Sequence, residues 1–237
     1  MSKLLANMIV YNESDRYLAE CLEALSKYVD EIIITDDCSE DETVDICRNF
    51  TDKVYVNQEH QFSTNEGLLR QVAWDNLSNH ASVDDWIFCI DADEFLFETR
   101  EHLNKLLESD CNILQLLWVN MWNEESYRTD KSWQPNKVNR LFRYRHDGKI
   151  KDKKLACGSE PTYVENWALR RDGVNANTGL ILKHRGYETE HDKHAKYDRY
   201  MRIDKGKYHS LTHLRSILTK PSLAPFSDLK ARLPNVS

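Results

Sequence analysis

Asp91 and Asp93 stand one alanine apart in "WIFCIDADEFL" (86–96), directly after an apolar run, and Glu94 follows at once. In an extended exit from a strand, residues i and i+2 point the same way, so the two aspartates can converge on one point. Like charges that close repel unless a divalent cation neutralises them, and hard oxygen donors suit Mg2+ or Mn2+. Such an ion bridges well to a diphosphate and assists its departure as a leaving group. A plainer role also fits an isolated D-x-D: Asp91 or Asp93 caps a following helix, with Glu94 in its first turn.

Elements able to hold these residues alternate through the first hundred positions. "LLANMIV" (4–10), "EIIIT" (31–35), "KVYVN" (53–57) and "WIFCI" (86–90) read as buried strands. A helix over about 15–28 is expected from the stripe Leu18, Cys21, Leu22 and Leu25. Ser39 with Glu42, and Ser63 with Glu66, have the spacing of capping boxes. They would open two more helices, one carrying Val44, Ile46 and Cys47, the other Leu68, Leu69, Val72 and Ala73. This rhythm predicts parallel strands with helices on both faces of a sheet.

Ligands of such sheets bind beyond the carboxyl ends of the strands. The polar clusters fall there: Tyr11, Asn12 and Glu13 after the first strand, Asp36 and Asp37 after the second, Asp91, Asp93 and Glu94 after the fourth. Further strands are expected in "CNILQLLWV" (111–119), "NRLFRY" (139–144) and "GLILKH" (179–184), and charged helix from about 192. Pro221, Pro225 and Pro234 prevent a long final helix.

Composition narrows the class. The 237 residues are 41% hydrophobic, enough for a real core. The formal charge of -7 conceals a split: residues 1–127 carry 8 Lys/Arg against 27 Asp/Glu, and residues 128–237 carry 24 against 12. An acidic half facing a basic half suits a site that gathers a cation and an anionic ligand between them, although the same charges could lie on separate solvated faces. The six cysteines form no C-x-x-C pair and read as reduced core residues of a cytosolic protein. No signal peptide is expected, because the N-terminal apolar run is interrupted by Asn7 and lacks a small-residue cleavage site. Nor do 18 apolar residues run together.

"VYNESDRYLAECLEAL", "IITDDCSEDET" and "WIFCIDADEFL", in this order and at these separations, resemble the nucleotide-sugar-dependent glycosyltransferases of family 2, with the GT-A fold. The likeness covers the first hundred residues well. It continues more weakly through "KVNRLFRY" and "ILKHRGYETEHDKHAKYDRY", which look like distal parts of bacterial members that glycosylate cell-surface polymers. The resemblance implies a mostly parallel central sheet flanked by helices, with a catalytic domain over 1–190 and a helical C-terminal extension over 191–237. Residues 1–110 would bind the nucleotide sugar and 111–190 the acceptor.

Carried over by position, the resemblance implies that Tyr11 lies against the nucleobase, with Asn12 and Glu13 on the same edge. Asp37 would accept a hydrogen bond from the base, and Arg70 would reach the nucleotide or its phosphates. Asp91 would contact the ribose and the metal's waters, Asp93 would ligate Mn2+ or Mg2+ directly, and His184 would supply a further metal or phosphate contact. The chemistry implied is a single displacement with inversion, in which an acceptor hydroxyl attacks the anomeric carbon and needs a carboxylate base. The Glu-Asp dipeptide that often marks the base is missing after the D-x-D. Glu160 in "CGSEP" is the first choice, and Glu124 and Glu125 compete.

Other signals are weaker. Q-x-x-R-W, which accompanies processive synthases, is absent, so transfer of one sugar per encounter is expected. His209 and His213 have helical i, i+4 spacing but no acidic partner evident nearby, and read as packing residues. The basic run "RYRHDGKIKDKK" (143–154) could bind nucleic acid, lipid phosphate or an anionic glycan, and a solvated loop is its simpler identity. Trp118, Trp122, Trp133 and Trp167 are sugar platforms or core.

The expectation is therefore a cytoplasmic, metal-dependent transferase taking one sugar from a UDP- or GDP-linked donor to a glycan or lipid-linked acceptor, with contact at the inner membrane face left open. Its rivals are a sugar-phosphate nucleotidyltransferase, disfavoured by "YNESD" where a Gly-rich phosphate loop belongs, and a non-catalytic nucleotide-sugar- or RNA-binding module.

Overall fold

The computed structural model describes residues 2–145, 173–204, 206 and 209–232. Its first half is the expected alternation: β1 (Leu4–Val10), α1 (Leu18–Leu25), β2 (Glu31–Asp36), α2 (Thr43–Arg48), β3 (Val54–Val56), α3 (Phe62–Ser78) and β4 (Trp86–Cys89). β1 lies between β2 and β4 and is parallel to both, and β3 extends the sheet beyond β2, also in parallel. Nearly every residue of β1, β2 and β4 is buried, which is why their sequences are continuous apolar runs rather than alternating ones.

α1 buries Leu18, Cys21, Leu22 and Leu25, the expected stripe, although it starts later than position 15. Neither capping box forms. The Ser39 hydroxyl is drawn to Asp36 and accepts from the Asn12 N–H, so α2 starts after Glu42 without a side-chain cap. Ser63 lies inside α3, which bends at Asn65, and Glu66 turns to Arg70 one helical turn on. α3 buries Leu69, Ala73, Trp74 and Leu77, while Leu68, expected in its stripe, is exposed.

The second half changes direction. β5 (Glu94–Phe97), α4 (Arg100–Leu107), β6 (Ile113–Asn120), β7 (Ser126–Arg128), β8 (Asn136–Arg143), β9 (Val174–Asn175) and β10 (Ile181–His184) follow. β8 is antiparallel to β4 and β6, β10 is parallel to β6, and β5 closes the edge antiparallel to β10. The described sheet thus runs β3-β2-β1-β4-β8-β6-β10-β5, with β9 beside β6, and apolar clusters pack on both faces. A mixed, mostly parallel sheet flanked by helices is the expected fold class.

β5 is a strand the sequence concealed, as are the short β7 and β9. The chain turns at Asp91–Glu94 and re-enters the sheet instead of starting a helix, which removes the helix-capping role for the D-x-D. C-terminal to the sheet lie α5 (Glu190–Ile203), α6 (Leu211–Ser216), β11 (Leu223–Pro225), which pairs with β7, and α7 (Phe226–Arg232). α5 opens with a genuine capping box, Thr189 with Asp192. No described helix is long and apolar enough to cross a membrane.

Candidate active site

A cavity of about 710 Å³ opens where β1, β2, β4, β6 and β10 end, and α5 and α6 close its far side. Tyr11, Glu13, Asp37, Arg70, Asp91, Asp93 and His184 all line it. Three other expected residues differ. Asn12, in a left-handed turn, holds the loops together by accepting from the Glu40 N–H and does not line the cavity. Glu124 and Glu125 are exposed on the turn after β6 and do not line it either. Glu160 falls outside the described residues, as do Trp167 and most of the basic run.

On the β1–β2 side the acids are held by nearby chain. Buried Asp37 accepts from the backbone N–H groups of Gln61 and Phe62, which fixes the entry of α3. Tyr11 packs its ring on His60 with centroids 4.1 Å apart, forming an aromatic shelf at the mouth. His60 was not singled out from the sequence, where only its place in a polar loop after β3 could have drawn attention. Glu13 takes both of its hydrogen bonds from Arg16, three residues on. Burial nonetheless pushes its carboxyl up to about 7, with Arg16 opposing.

The turn between β4 and β5 carries three carboxylates, and each has a cation from elsewhere. Glu94, fully buried, accepts from Arg140 at 2.9 Å, from the Trp118 indole at 3.1 Å and from the Asp91 backbone N–H. The same Arg140 nitrogen reaches Asp91 at 3.1 Å. Partial burial opposes ionisation of Asp91, but Arg140 and Arg70 outweigh it and hold its carboxyl below the ordinary value. Asp93 faces the other way, with Lys196 of α5 at 3.0 Å, His184 Nε2 at 3.5 Å and Arg16 at 3.6 Å. Burial alone would raise the Asp93 pKa; Lys196, with Arg16 farther off, holds it well below. Arg140 and Lys196 belong to the basic half of the sequence, so the two halves meet here.

His184 and Asn120 sit side by side on β10 and β6. His184 Nδ1 lies 2.8 Å from the Asn120 side-chain oxygen and Nε2 lies 2.8 Å from Lys196 Nζ. The carbonyl oxygen requires a proton on Nδ1, which leaves Nε2 as the acceptor, the neutral tautomer a metal ligand needs. Burial and then Lys196 push its pKa down, in the same direction.

These groups fit a divalent ion in one way. Asp93 Oδ2 and His184 Nε2 form a mixed oxygen and nitrogen pair suited to Mn2+, and an ammonium already stands between them. A Cβ at Gly186 would collide with both Lys196 Nζ and Asp93 Oδ2, so the space depends on glycine there. Asp91, turned to Arg140, does not complete a trio: among the described residues no three His, Cys, Asp or Glu side chains converge. An ion at this pair would draw its remaining ligands from water and a diphosphate, as Mg2+-type sites commonly do.

The far wall is aromatic and basic. Trp122, Trp133 and Tyr187 pack together, and Trp133 and Tyr187 reach the cavity along with Trp118. Two residues expected to lack an acidic partner have a different setting. His209 Nδ1 lies 2.8 Å from buried Asp204, and His213 stacks on Trp133 and meets the Ser132 hydroxyl; both histidines line the cavity.

The sequence profile described as Glycosyl transferase family 2 matches residues 7–178, more than half of the chain. Among solved structures, S. aureus TarS is similar at 18% identity, covering 91% of this chain and 42% of that one, with a TM-score of 0.48. The chain thus spans about two fifths of TarS. S. aureus TarS 1-349 in complex with UDP matches at 17% identity, over 91% of this chain and 69% of that one, with a TM-score of 0.47. Mannosyl-3-phosphoglycerate synthase from Rubrobacter xylanophilus matches at 20% identity, over 50% of this chain and 41% of that one, with a TM-score of 0.38.

Proposed function

The chain belongs to glycosyl transferase family 2, and on that premise we propose that it transfers one sugar from a UDP- or GDP-sugar to a hydroxyl of a glycan or lipid-linked acceptor, with inversion. The observation that carries this reading is the meeting of Asp93 and His184 at the floor of the cavity whose mouth bears the Tyr11–His60 shelf. The shelf offers a nucleobase a stacking face. Arg70, Arg140 and Lys196 supply positive potential along the path from that shelf to the floor, where a diphosphate would lie. Asp93 and His184 would hold Mn2+ or Mg2+, which when bound neutralises charge growing on the departing diphosphate.

The acceptor enters from the α5–α6 side, against Trp133 and Tyr187, whose faces suit a sugar ring. Its oxygen forms the new bond to the anomeric carbon as the bond to the diphosphate oxygen breaks, and its proton passes to a carboxylate base. Glu160 is the proposed base, since Glu124 and Glu125 do not line the cavity.

Incubating the protein with a panel of UDP- and GDP-sugars and measuring free nucleotide, with and without Mn2+, tests the reading. Metal-dependent release that disappears in Asp93→Ala is expected. Nucleotide binding with no release from any donor and acceptor mixture would leave a binding module instead.

A further inference from the structure

Lys196 is in an unusual position for a lysine. It is 7% exposed, and its ammonium is held by Asp93 Oδ2 at 3.0 Å and His184 Nε2 at 2.8 Å, with the Tyr187 ring centroid 4.7 Å away. Both polar partners are the two side chains fitted to a divalent ion. We propose that Lys196 is a resident cation that occupies the Asp93–His184 seat and must leave it before a divalent ion can enter. This deepens the proposed function and rests on it.

The exclusion follows from the imidazole. A neutral histidine has one lone pair on its unprotonated nitrogen, in the ring plane. Asn120 holds the proton on Nδ1, so Nε2 can accept from Lys196 or ligate a metal, but not both. The second partner reinforces this, because the same ammonium lies 3.0 Å from Asp93 Oδ2, the atom the ion would take. An ammonium and a dication sharing those two atoms would also repel one another at close range in a poorly hydrated site.

The seat is shaped for the lysine as well as for the ion. Gly186 leaves room for Nζ where any Cβ would strike it. An unpaired ammonium is costly to bury, and an unpaired Asp93 equally so. In the absence of metal each therefore satisfies the other, with Arg16 as a more distant second partner of Asp93. The lysine stem is flexible and Lys196 borders the cavity, so the ammonium can move from Asp93 to an arriving diphosphate. Metal and nucleotide would then bind cooperatively, because the nucleotide offers Lys196 a new partner at the moment the ion takes its old ones.

Titration of Mn2+ alone, followed by the EPR signal of free Mn2+, separates the outcomes. Lys196→Met is expected to bind Mn2+ at least about tenfold more tightly than the wild type, and Lys196→Gln, which removes the charge but keeps a polar end, to behave alike. Unchanged or weaker Mn2+ affinity in both variants overturns the proposal. A readout that needs no variant is amine labelling of wild-type Lys196, analysed by mass spectrometry: saturating Mn2+ alone, which displaces the ammonium with no diphosphate to receive it, is expected to increase it, and equal labelling overturns the displacement. If neither wild type nor variants bind Mn2+, even with UDP, the seat takes no divalent ion and the proposal fails. The UDP titration in the same samples then reports separately whether the nucleotide-binding reading survives.

Discussion

The two sides of the cavity hold their acids differently. At the β1–β2 side, Glu13 is bound by Arg16 three residues away, and Asp37 by backbone N–H groups 24 and 25 residues on. At the β4–β5 turn, Asp91 and Glu94 rely on Arg140, 49 and 46 residues distant, and Asp93 on Lys196, 103 residues distant. The first side is assembled from neighbouring loops of the parallel half; the second exists only once β8, β10 and α5 have docked. A site half local and half long-range can keep its aromatic shelf while losing its ionic floor, and variants on the two sides should fail in different ways.

The largest effect is expected at Arg140, which is 3% exposed and serves two carboxylates with one nitrogen. Burial lifts the Glu94 carboxyl to about 8 against the pull of Arg140, so Arg140→Met leaves a largely protonated Glu94 and a charged Asp91 without their shared donor and should cost about 2–4 kcal/mol in urea unfolding. A cost below about 1 kcal/mol would mean that Arg140 holds neither carboxyl group in the folded protein. Asn120→Ala comes next. It removes the acceptor that sets the His184 tautomer, and Mn2+ affinity measured by calorimetry should fall about 10–100-fold with the fold intact.

The local side gives a smaller effect, through pH. Burial lifts Glu13 from 4.5 to about 7, so between those values the folded protein keeps a proton that the unfolded chain has released. Stability from this group is therefore greatest below about 4.5 and is lost as pH rises through about 7. In Glu13→Gln the loss of stability between about pH 5 and pH 8 should be smaller by about 1–2 kcal/mol, as read from denaturation midpoints. An identical pH profile would show that Arg16 keeps Glu13 charged throughout. The smallest effect is expected at Glu125, exposed and away from the cavity. Glu125→Gln should leave donor turnover within about twofold, and a collapse of the rate would return this residue to the list of bases.

The same division governed what could be read from the sequence. β1, β2 and β4 are buried on both faces, so their apolar runs were plain, and carboxylates at strand exits pointed to one rim. The cations that answer them were not legible. Arg140 lies within a strand pattern and Lys196 within a charged helix, and nothing in a linear chain says that both point at the same turn. β5 was missed because Asp-Ala-Asp-Glu fits a helix start as well as a tight turn, and only pairing with β10 decides between them. The failed capping boxes have a related cause: Ser39 has a stronger local partner in Asp36, and Glu66 in Arg70. His209 seemed to lack an acidic partner although Asp204 was five residues away, because only a turn after α5 brings them together.

The central claim is that Asp93 and His184 jointly hold a divalent ion at the floor of the cavity. Pulsed EPR of the Mn2+-loaded protein with UDP tests it most directly, because a nitrogen bound to Mn2+ modulates the electron spin echo. One imidazole nitrogen coupling is predicted in the wild type, lost in His184→Gln, with Mn2+ binding itself abolished in Asp93→Asn. Bound Mn2+ that carries no nitrogen coupling, or a coupling that persists in His184→Gln, would contradict the account.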